Sequence, residues 1–125
     1  MNGQAVQPDG LATPKAPYSP VVVTGDFVLT AGQVGFDADG NVVSDDFEAQ
    51  VRQVFDNIGR CLAAAGVGFE HVIKVNAFLT DFANFPVFNA VYREYFQAPY
   101  PVRTTVQAGL APGLHVEVEA IARKP

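Results

Sequence analysis

The middle of the chain carries an apolar pattern with the period of a helix. Between Ser44 and Gly66, apolar residues recur at a spacing that places them along one face of a helix. Ser44 or Asp45 can cap the start of this segment, and Gly66 can end it. The pattern predicts an amphipathic helix with the apolar face Phe47, Val51, Val54, Phe55, Ile58 and Leu62.

A strand and a second helix are predicted to follow. His71–Thr80 is apolar and β-branched, which favours a strand covered on at least one face. The next residues carry helix-start signals in Asp81, Asn84 and Pro86, and we expect this helix to run to about Phe96. Aromatic residues form a stripe on it that should pack against the sheet. They are Phe85, Phe88, Tyr92, Tyr95 and Phe96.

The two ends of the chain are predicted to be rich in strands. Near the N-terminus, two short β-rich runs flank Gly25-Asp26, and an Asp-Gly turn lies between Asp37 and Asn41. Tyr100–Ala122 contains two further runs with a Gly/Pro-containing turn between them, which predicts a hairpin. The predicted order of elements is therefore β-β-β-α-β-α-β-β.

Charged residues interrupt the predicted C-terminal hairpin. Side chains alternate along a strand, so Arg103 and Thr105 share one face of the first strand. Glu117 lies on the corresponding face of the return strand, and we expect the guanidinium and the carboxylate to lie near each other. A surface ion pair is the simplest interpretation of such a pair. The alternative is a binding site.

The order of elements predicts an α+β fold. Two helices should pack on one face of a mostly antiparallel sheet, and the other face must be solvated or covered by another chain. The face that carries Arg103, Thr105 and Glu117 is predicted to face that partner chain. We expect residues 1–15 to form a flexible N-terminal arm and residues 16–125 to form a single domain.

Composition and charge narrow the function. The chain has 125 residues and a net charge of −5, and its basic residues are scattered, which disfavours nucleic-acid binding. No apolar run is long enough to cross a membrane, and the N-terminus lacks the order of a signal peptide. The single Cys61 fits a reducing compartment. These features predict a cytoplasmic protein without a nucleic-acid or membrane partner.

Six short motifs follow one another along the chain between Ala16 and Arg123. They are APYSP with Tyr18, LTAGQ with Gly32, NIGRCLAAAG, FNAVYREYF with Asn89, PVRTTV with Arg103, and VEVEAIA with Glu117. In order and spacing, the chain resembles the Rid/YjgF family of reactive intermediate deaminases, also called the RutC-like or "L-PSP endoribonuclease" family. This resemblance implies a chorismate-mutase-like (YjgF-like) fold. It also implies a homotrimer with a central barrel and with clefts between neighbouring subunits.

The resemblance also implies an activity. In the deaminase members, an imine or enamine such as 2-aminoacrylate, in its 2-imino acid form, is hydrolysed to a 2-keto acid and ammonia without a metal or organic cofactor. The arginine that matches Arg103 clamps the substrate carboxylate, and the glutamate that matches Glu117 positions and activates a water. Tyr18 is expected to close or order the cleft, with support from Asn89. The backbone around Gly32 and Thr105 is expected to contact the ligand.

Two positions depart from the best-known deaminases of the family. Ala31 stands where those proteins have serine, and Thr105 stands where they have cysteine, although both positions flank the ligand there. The RTTV motif is also similar to members that include 2-aminomuconate deaminases, which act on a larger conjugated enamine. The substrate is therefore open between these two classes. A non-catalytic trimer that binds a small carboxylate is a further alternative.

Overall fold

The computed structural model of the protein describes all 125 residues. Single turns of 3-10 helix, at Phe69–His71 and Phe82–Asn84, precede the fifth strand and the second helix. The chain contains these strands and helices in order: β1 (Gln4–Val6), β2 (Val21–Thr24), β3 (Phe27–Thr30), β4 (Gln33–Val34), α1 (Phe47–Ala64), β5 (Val72–Leu79), α2 (Phe85–Tyr95), β6 (Val102–Gln107) and β7 (Val116–Arg123).

The seven strands form one mixed, mostly antiparallel sheet. The strand order is β1-β2-β3-β7-β5-β6, and β4 also pairs with β7. Only β5 and β6 are parallel, and α2 connects them, as parallel neighbours require a crossover. Two helices and this sheet confirm the predicted α+β class.

The predicted C-terminal hairpin is wrong. β6 and β7 are consecutive in the sequence, but β5 lies between them and pairs with both. The reason is the crossover through α2, which returns β6 to the outer edge of β5 and leaves its inner edge for β7. A pattern of alternating residues predicts two strands, but it does not determine which strands are neighbours.

The N-cap of helix α1 is Asp46, one residue after Asp45 and two after Ser44, the predicted caps. Asp46 has extended backbone angles, and its side chain accepts a hydrogen bond from the backbone N–H of Ala49 at 2.9 Å. Ser44 supports this cap because its hydroxyl accepts from the N–H of Asp46. The helix ends at Ala64, and Gly66 follows with a φ of 78°.

The core lies between the helices and one face of the sheet. Phe55 of α1 is fully buried and packs against the aromatic stripe of α2, with its ring centroid 4.9 Å from Tyr95 and 6.0 Å from Phe88. The stripe belongs to the core, as predicted, but the ring it packs against here is that of Phe55 in α1 and not a residue of the sheet. Cys61 is also fully buried, and burial raises the pKa of its thiol to about 12.

The other face of the sheet has no helix over it. Val102 and Val106 of β6 lie on this open face and are 65% and 39% exposed. Glu117 lies on the same face, because Val116 and Val118 on either side of it are buried beneath the helices. The prediction that Arg103, Thr105 and Glu117 share the face turned to a partner chain is therefore right only for Glu117. Arg103 and Thr105 alternate with Val102 and Val106 and so lie on the helix side.

The N-terminal segment contributes to the sheet. Residues 1–15, predicted as a flexible arm, include β1, which pairs with β2 at the sheet edge. Their flexibility stays a prediction. No helix in the chain is long and apolar enough to cross a membrane.

Candidate functional site

Arg103 is held in one orientation beneath α2. Its guanidinium carbon lies 4.7 Å from the ring centroid of Tyr92, 5.5 Å from that of Phe88 and 5.6 Å from that of Phe85. One Nη2 hydrogen is donated to Oδ1 of Asn89 at 2.9 Å. A cation against aromatic faces is attracted by their negative quadrupole. The rings therefore position the guanidinium, while most of its N–H donors stay free for a ligand.

A pocket of about 270 Å³ opens beside this guanidinium. We call it the arginine pocket; its lining residues are Asn89, Tyr92, Arg93, Tyr100, Pro101 and Arg103. No acidic residue lines it, and no carboxylate forms an ion pair with Arg103. A guanidinium without a carboxylate partner is suited to bind an anionic ligand from outside the chain.

Two buried hydroxyls near Arg103 have no hydrogen-bond partner. They belong to Tyr92, whose ring stacks on the guanidinium, and to Thr105, two residues further along the same face of β6. Burial raises the pKa of Tyr92 to about 12, with the nearby Arg103 acting in the opposite direction. An unsatisfied buried hydroxyl lowers stability. Such groups beside an unpaired cation mark a region that is not optimised for stability alone.

Glu117 forms a second group with the end of β3 and the start of β4. A Cβ atom on Gly32 would lie 2.7 Å from Oε2 of Glu117, so only glycine allows this close approach. The neighbouring Ala31 is fixed by its backbone N–H, which donates to the carbonyl oxygen of Pro20 at 2.8 Å. Tyr18 is 54% exposed and lines a cleft of about 600 Å³ together with Gly32. We call Tyr18, Ala31, Gly32 and Glu117 the glutamate group.

Burial gives Glu117 the character of a proton acceptor. Burial raises the pKa of its carboxyl above the ordinary value, and repulsion from the neighbouring Glu119 adds to this shift. Glu119 itself accepts a hydrogen bond from Asn76 at 3.3 Å. A carboxylate with a raised pKa is a stronger base than an exposed one.

The two groups lie on opposite faces of the sheet. Arg103 is in register with the buried Val75 and points toward α2, whereas Glu117 is in register with Phe78 on the open face. The strand β5 also separates β6 from β7 by about 10 Å. The expectation that the guanidinium and the carboxylate are neighbours within one chain is therefore wrong. Asn89 bonds Arg103 on one side, where Thr105 also lies, and Gly32 meets Glu117 on the other. Tyr18 shares a cleft with Gly32, and this cleft is not lined by Glu117.

Comparison with known proteins identifies the family of this chain. The profile of the family described as "Endoribonuclease L-PSP" matches residues 10–124. A RutC family protein of Pyrococcus horikoshii is 41% identical over 113 residues, which cover 89% of this chain and 90% of that protein. The chain belongs to the Rid/YjgF family.

Two further relatives of this Rid/YjgF chain have more specific names. A Bos taurus protein named 2-iminobutanoate/2-iminopropanoate deaminase is 40% identical over 108 residues, which cover 85% of this chain and 79% of that protein. The crystal structure of RidA from an Antarctic Psychrobacter bacterium superposes with a TM-score of 0.91 at 38% identity, covering 96% of this chain and 98% of that one. The family resemblance inferred from the motifs is confirmed.

Sequence reasoning missed part of the surroundings of Arg103 in this Rid/YjgF chain. Phe85, Phe88 and Tyr92 were assigned to the core alone, and Arg93 was not considered. The signal was present for three of these residues, because Phe85, Tyr92 and Arg93 lie four before, three after and four after Asn89 along α2. Residues three and four apart share a helix face, so a functional Asn89 points to its helical neighbours as well.

Proposed function

We propose that the protein hydrolyses a carboxylate-bearing imine or enamine, of the 2-iminobutanoate or 2-iminopropanoate type, to a 2-keto acid and ammonia. The observation that carries the proposal is the unpaired guanidinium of Arg103, which aromatic rings and Asn89 hold in a fixed orientation beside a pocket without acidic residues. The names of relatives about 40% identical support the same reaction.

Arg103 binds the substrate carboxylate in this proposal. A planar guanidinium donates two parallel hydrogen bonds to a carboxylate and stays charged at all physiological pH values. The imine carbon next to the carboxylate then has a defined position. Fixing the reacting carbon relative to one water supplies much of the catalysis that a reactive imine needs.

Glu117 acts on the water. Its carboxylate accepts a proton while the water oxygen forms a bond to the imine carbon, and the C=N double bond becomes a C–N single bond of a carbinolamine. The imine nitrogen carries its own proton during this addition, so the product is a neutral carbinolamine. Glu117 then passes the proton to the amine nitrogen and takes the hydroxyl proton as the C=O bond forms and the C–N bond breaks. The leaving ammonia takes this last proton from Glu117 and departs as ammonium. The raised pKa of Glu117 suits both transfers, because the same group must accept and return a proton. No redox partner enters this balance.

A second copy of the chain completes the site. Arg103 and Glu117 lie on opposite faces of one sheet, so one molecule of substrate cannot contact both within a single chain. In a homotrimer whose open sheet faces form a central barrel, the arginine pocket of one subunit meets the glutamate group of the next. Val102 and Val106, which are exposed in the single chain, are then covered. The tyrosine ring of Tyr18 closes over the bound substrate.

The substitutions at positions 31 and 105 restrict how the protein contacts the substrate. Ala31 has no hydroxyl, so only its backbone can supply polar contacts, whereas the Thr105 hydroxyl has no partner within the chain and stays available. The same features are compatible with a trimer that binds small carboxylates without turnover. Glu117→Gln separates the two functions, because it removes the base but retains the shape. In a deaminase, the variant loses turnover and keeps 2-keto acid binding, whereas a binding module has no turnover that depends on Glu117.

Cleavage of RNA is not part of the proposal, although the family description contains the word endoribonuclease. The chain has a net charge of −5, and Arg52 and Arg60 are neutralised by carboxylates on the surfaces of the helices. Binding of a phosphate backbone depends on several unpaired cations along one surface.

The test generates a 2-imino acid in place with an amino-acid oxidase and catalase and traps the remaining imine with semicarbazide. The wild-type protein should lower the yield of the semicarbazone. Arg103→Ala should lower kcat/KM at least a hundredfold, and Arg103→Lys should be intermediate because lysine retains the charge but not the paired hydrogen bonds. Arg60→Ala is the matched control, since Arg60 forms a surface ion pair with Asp56 and does not line the arginine pocket. Equal semicarbazone yields with the wild type and Arg103→Ala would disprove the proposal.

A further inference from the structure

The arginine pocket contains a second guanidinium that the proposed reaction does not use. Arg93 lines the pocket together with Arg103, and it lies one helical turn after Asn89 on α2. Residues four apart on a helix are neighbours on one face. The amide that holds the first arginine and the side chain of the second therefore belong to the same face of α2.

Arg93 has no carboxylate partner in the chain, even though acidic residues outnumber basic ones by 13 to 8. The adjacent Glu94 is paired with a different arginine, because both of its carboxylate oxygens accept hydrogen bonds from Arg52 of α1, at 2.9 and 3.2 Å. In this acidic chain, two unpaired guanidinium groups meet at one pocket. That arrangement repels cations and leaves room for two negative charges.

The two arginines differ in how they are held. Arg103 is fixed by three rings and Asn89, as the group that orients the reacting end of a substrate must be. Arg93 is exposed and lines the same pocket without a hydrogen bond or ion pair to another side chain. Between them, the aromatic rings of Tyr92 and Tyr100 lie 6.4 Å apart and provide an apolar wall for a carbon chain.

We infer that the preferred substrate is a dicarboxylate imine or enamine, with one carboxylate on Arg103 and a second, at the far end of its carbon chain, on Arg93. This inference rests on the proposed deamination and extends its substrates from monocarboxylates such as 2-iminobutanoate to dicarboxylates, which become the preferred ones. It assigns Arg93 as a specificity-determining residue and leaves the roles of Arg103 and Glu117 in the reaction unchanged.

The experiment compares two imines that differ in the second carboxylate. One is produced from 2-aminobutanoate by an amino-acid oxidase, and the other, 2-iminoglutarate, is produced from glutamate by glutamate oxidase. The wild type should have the higher kcat/KM with 2-iminoglutarate. Arg93→Ala should lower that value about tenfold, mainly through KM, and should change the value for the monocarboxylate less than about twofold. Arg93→Lys should restore part of the preference, and Arg60→Ala should retain it.

Binding of the products separates this inference from the proposed function. Calorimetry should show that 2-oxoglutarate binds the wild type more tightly than 2-oxobutanoate and that Arg93→Ala removes the difference. If neither imine is turned over but this binding preference is found, the deaminase proposal fails and the dianion site stands. If both imines are turned over and Arg93→Ala affects them equally, the dianion site fails and the deaminase stands. Arg93→Ala that dissociates the assembly in light scattering would assign Arg93 to a subunit contact and overturn the inference.

Discussion

The arginine pocket and the glutamate group are built in different ways. Arg103 lies on the helix side of the sheet, where three rings of α2 and Asn89 fix it, and its partners come from elements close in sequence. Glu117 lies on the open side, where the backbone of Gly32 approaches it and no side chain pairs with it. The pocket is thus positioned within one chain, whereas the glutamate group is left facing outward.

This difference indicates what each group lacks. The arginine pocket has a complete set of positioning contacts but contains no base. The glutamate group has a base with a raised pKa but no cation to hold a carboxylate. Each supplies what the other lacks, which is the arrangement expected of a site formed between two copies of a chain.

The largest effect outside the arginine itself is expected at Gly32. In Gly32→Ala, the new methyl group would lie 2.7 Å from Oε2 of Glu117, so the carboxylate must move. We expect kcat to fall by about tenfold to a hundredfold, because a small displacement of a base is costly, with KM nearly unchanged. Gly109→Ala is the control, since a Cβ there meets no atom within 4 Å. A rise in KM without a fall in kcat would place Gly32 in substrate binding and break the separation of the two groups.

A smaller effect concerns stability and pH. The pKa of Glu117 is raised in the folded chain, so the unfolded state loses its proton at a lower pH, and stability falls as the pH rises through the interval between the two values. Glu117→Gln removes this titration. The variant should be more stable than the wild type at pH 7, by about 1 kcal/mol or less, or a few degrees in Tm. Thermal melts from pH 3 to 8 should show the difference vanish at acidic pH; a constant difference would contradict the raised pKa.

The smallest effect is expected for Tyr92→Phe. The ring that stacks on Arg103 is retained, and a buried hydroxyl without a partner is removed. Activity should stay within about twofold of the wild type, and stability should be unchanged or higher by about 1 kcal/mol. Tyr92→Leu, which removes the ring, is the comparison and should raise KM. A large loss of activity in Tyr92→Phe would show that the hydroxyl, and not the ring, supports the arginine.

The sequence predicts the local structure well and the site only in part. The period of the apolar residues predicts α1 and α2, and the Asp-Gly turn between Asp37 and Asn41 is confirmed by two hydrogen bonds to Oδ1 of Asp37. The position of β5 between β6 and β7 was missed, because alternation along a strand carries no information about its neighbours. For this reason Arg103 and Glu117 were placed on one face.

The surroundings of the site were harder to predict for a different reason. Aromatic residues such as Phe88 and Tyr92 serve the core and the arginine at the same time, and hydrophobic periodicity detects only the first role. Motifs identified Asn89 and Gly32, yet the structure was needed to show what each of them contacts. Local sequence patterns thus predict which residues belong to the site better than they predict which of those residues contact each other.

The most direct test of the central claim combines two inactive variants. Arg103→Ala and Glu117→Gln are purified separately, unfolded and refolded together, and assayed for imine hydrolysis beside each variant refolded alone. If every site takes its arginine from one subunit and its glutamate from the next, random assortment gives about a quarter of the sites both native residues, and about a quarter of the wild-type activity returns. If both residues of a site came from the same chain, every site would lack one of them. No recovery in mixed oligomers whose assembly is confirmed by light scattering would contradict the account.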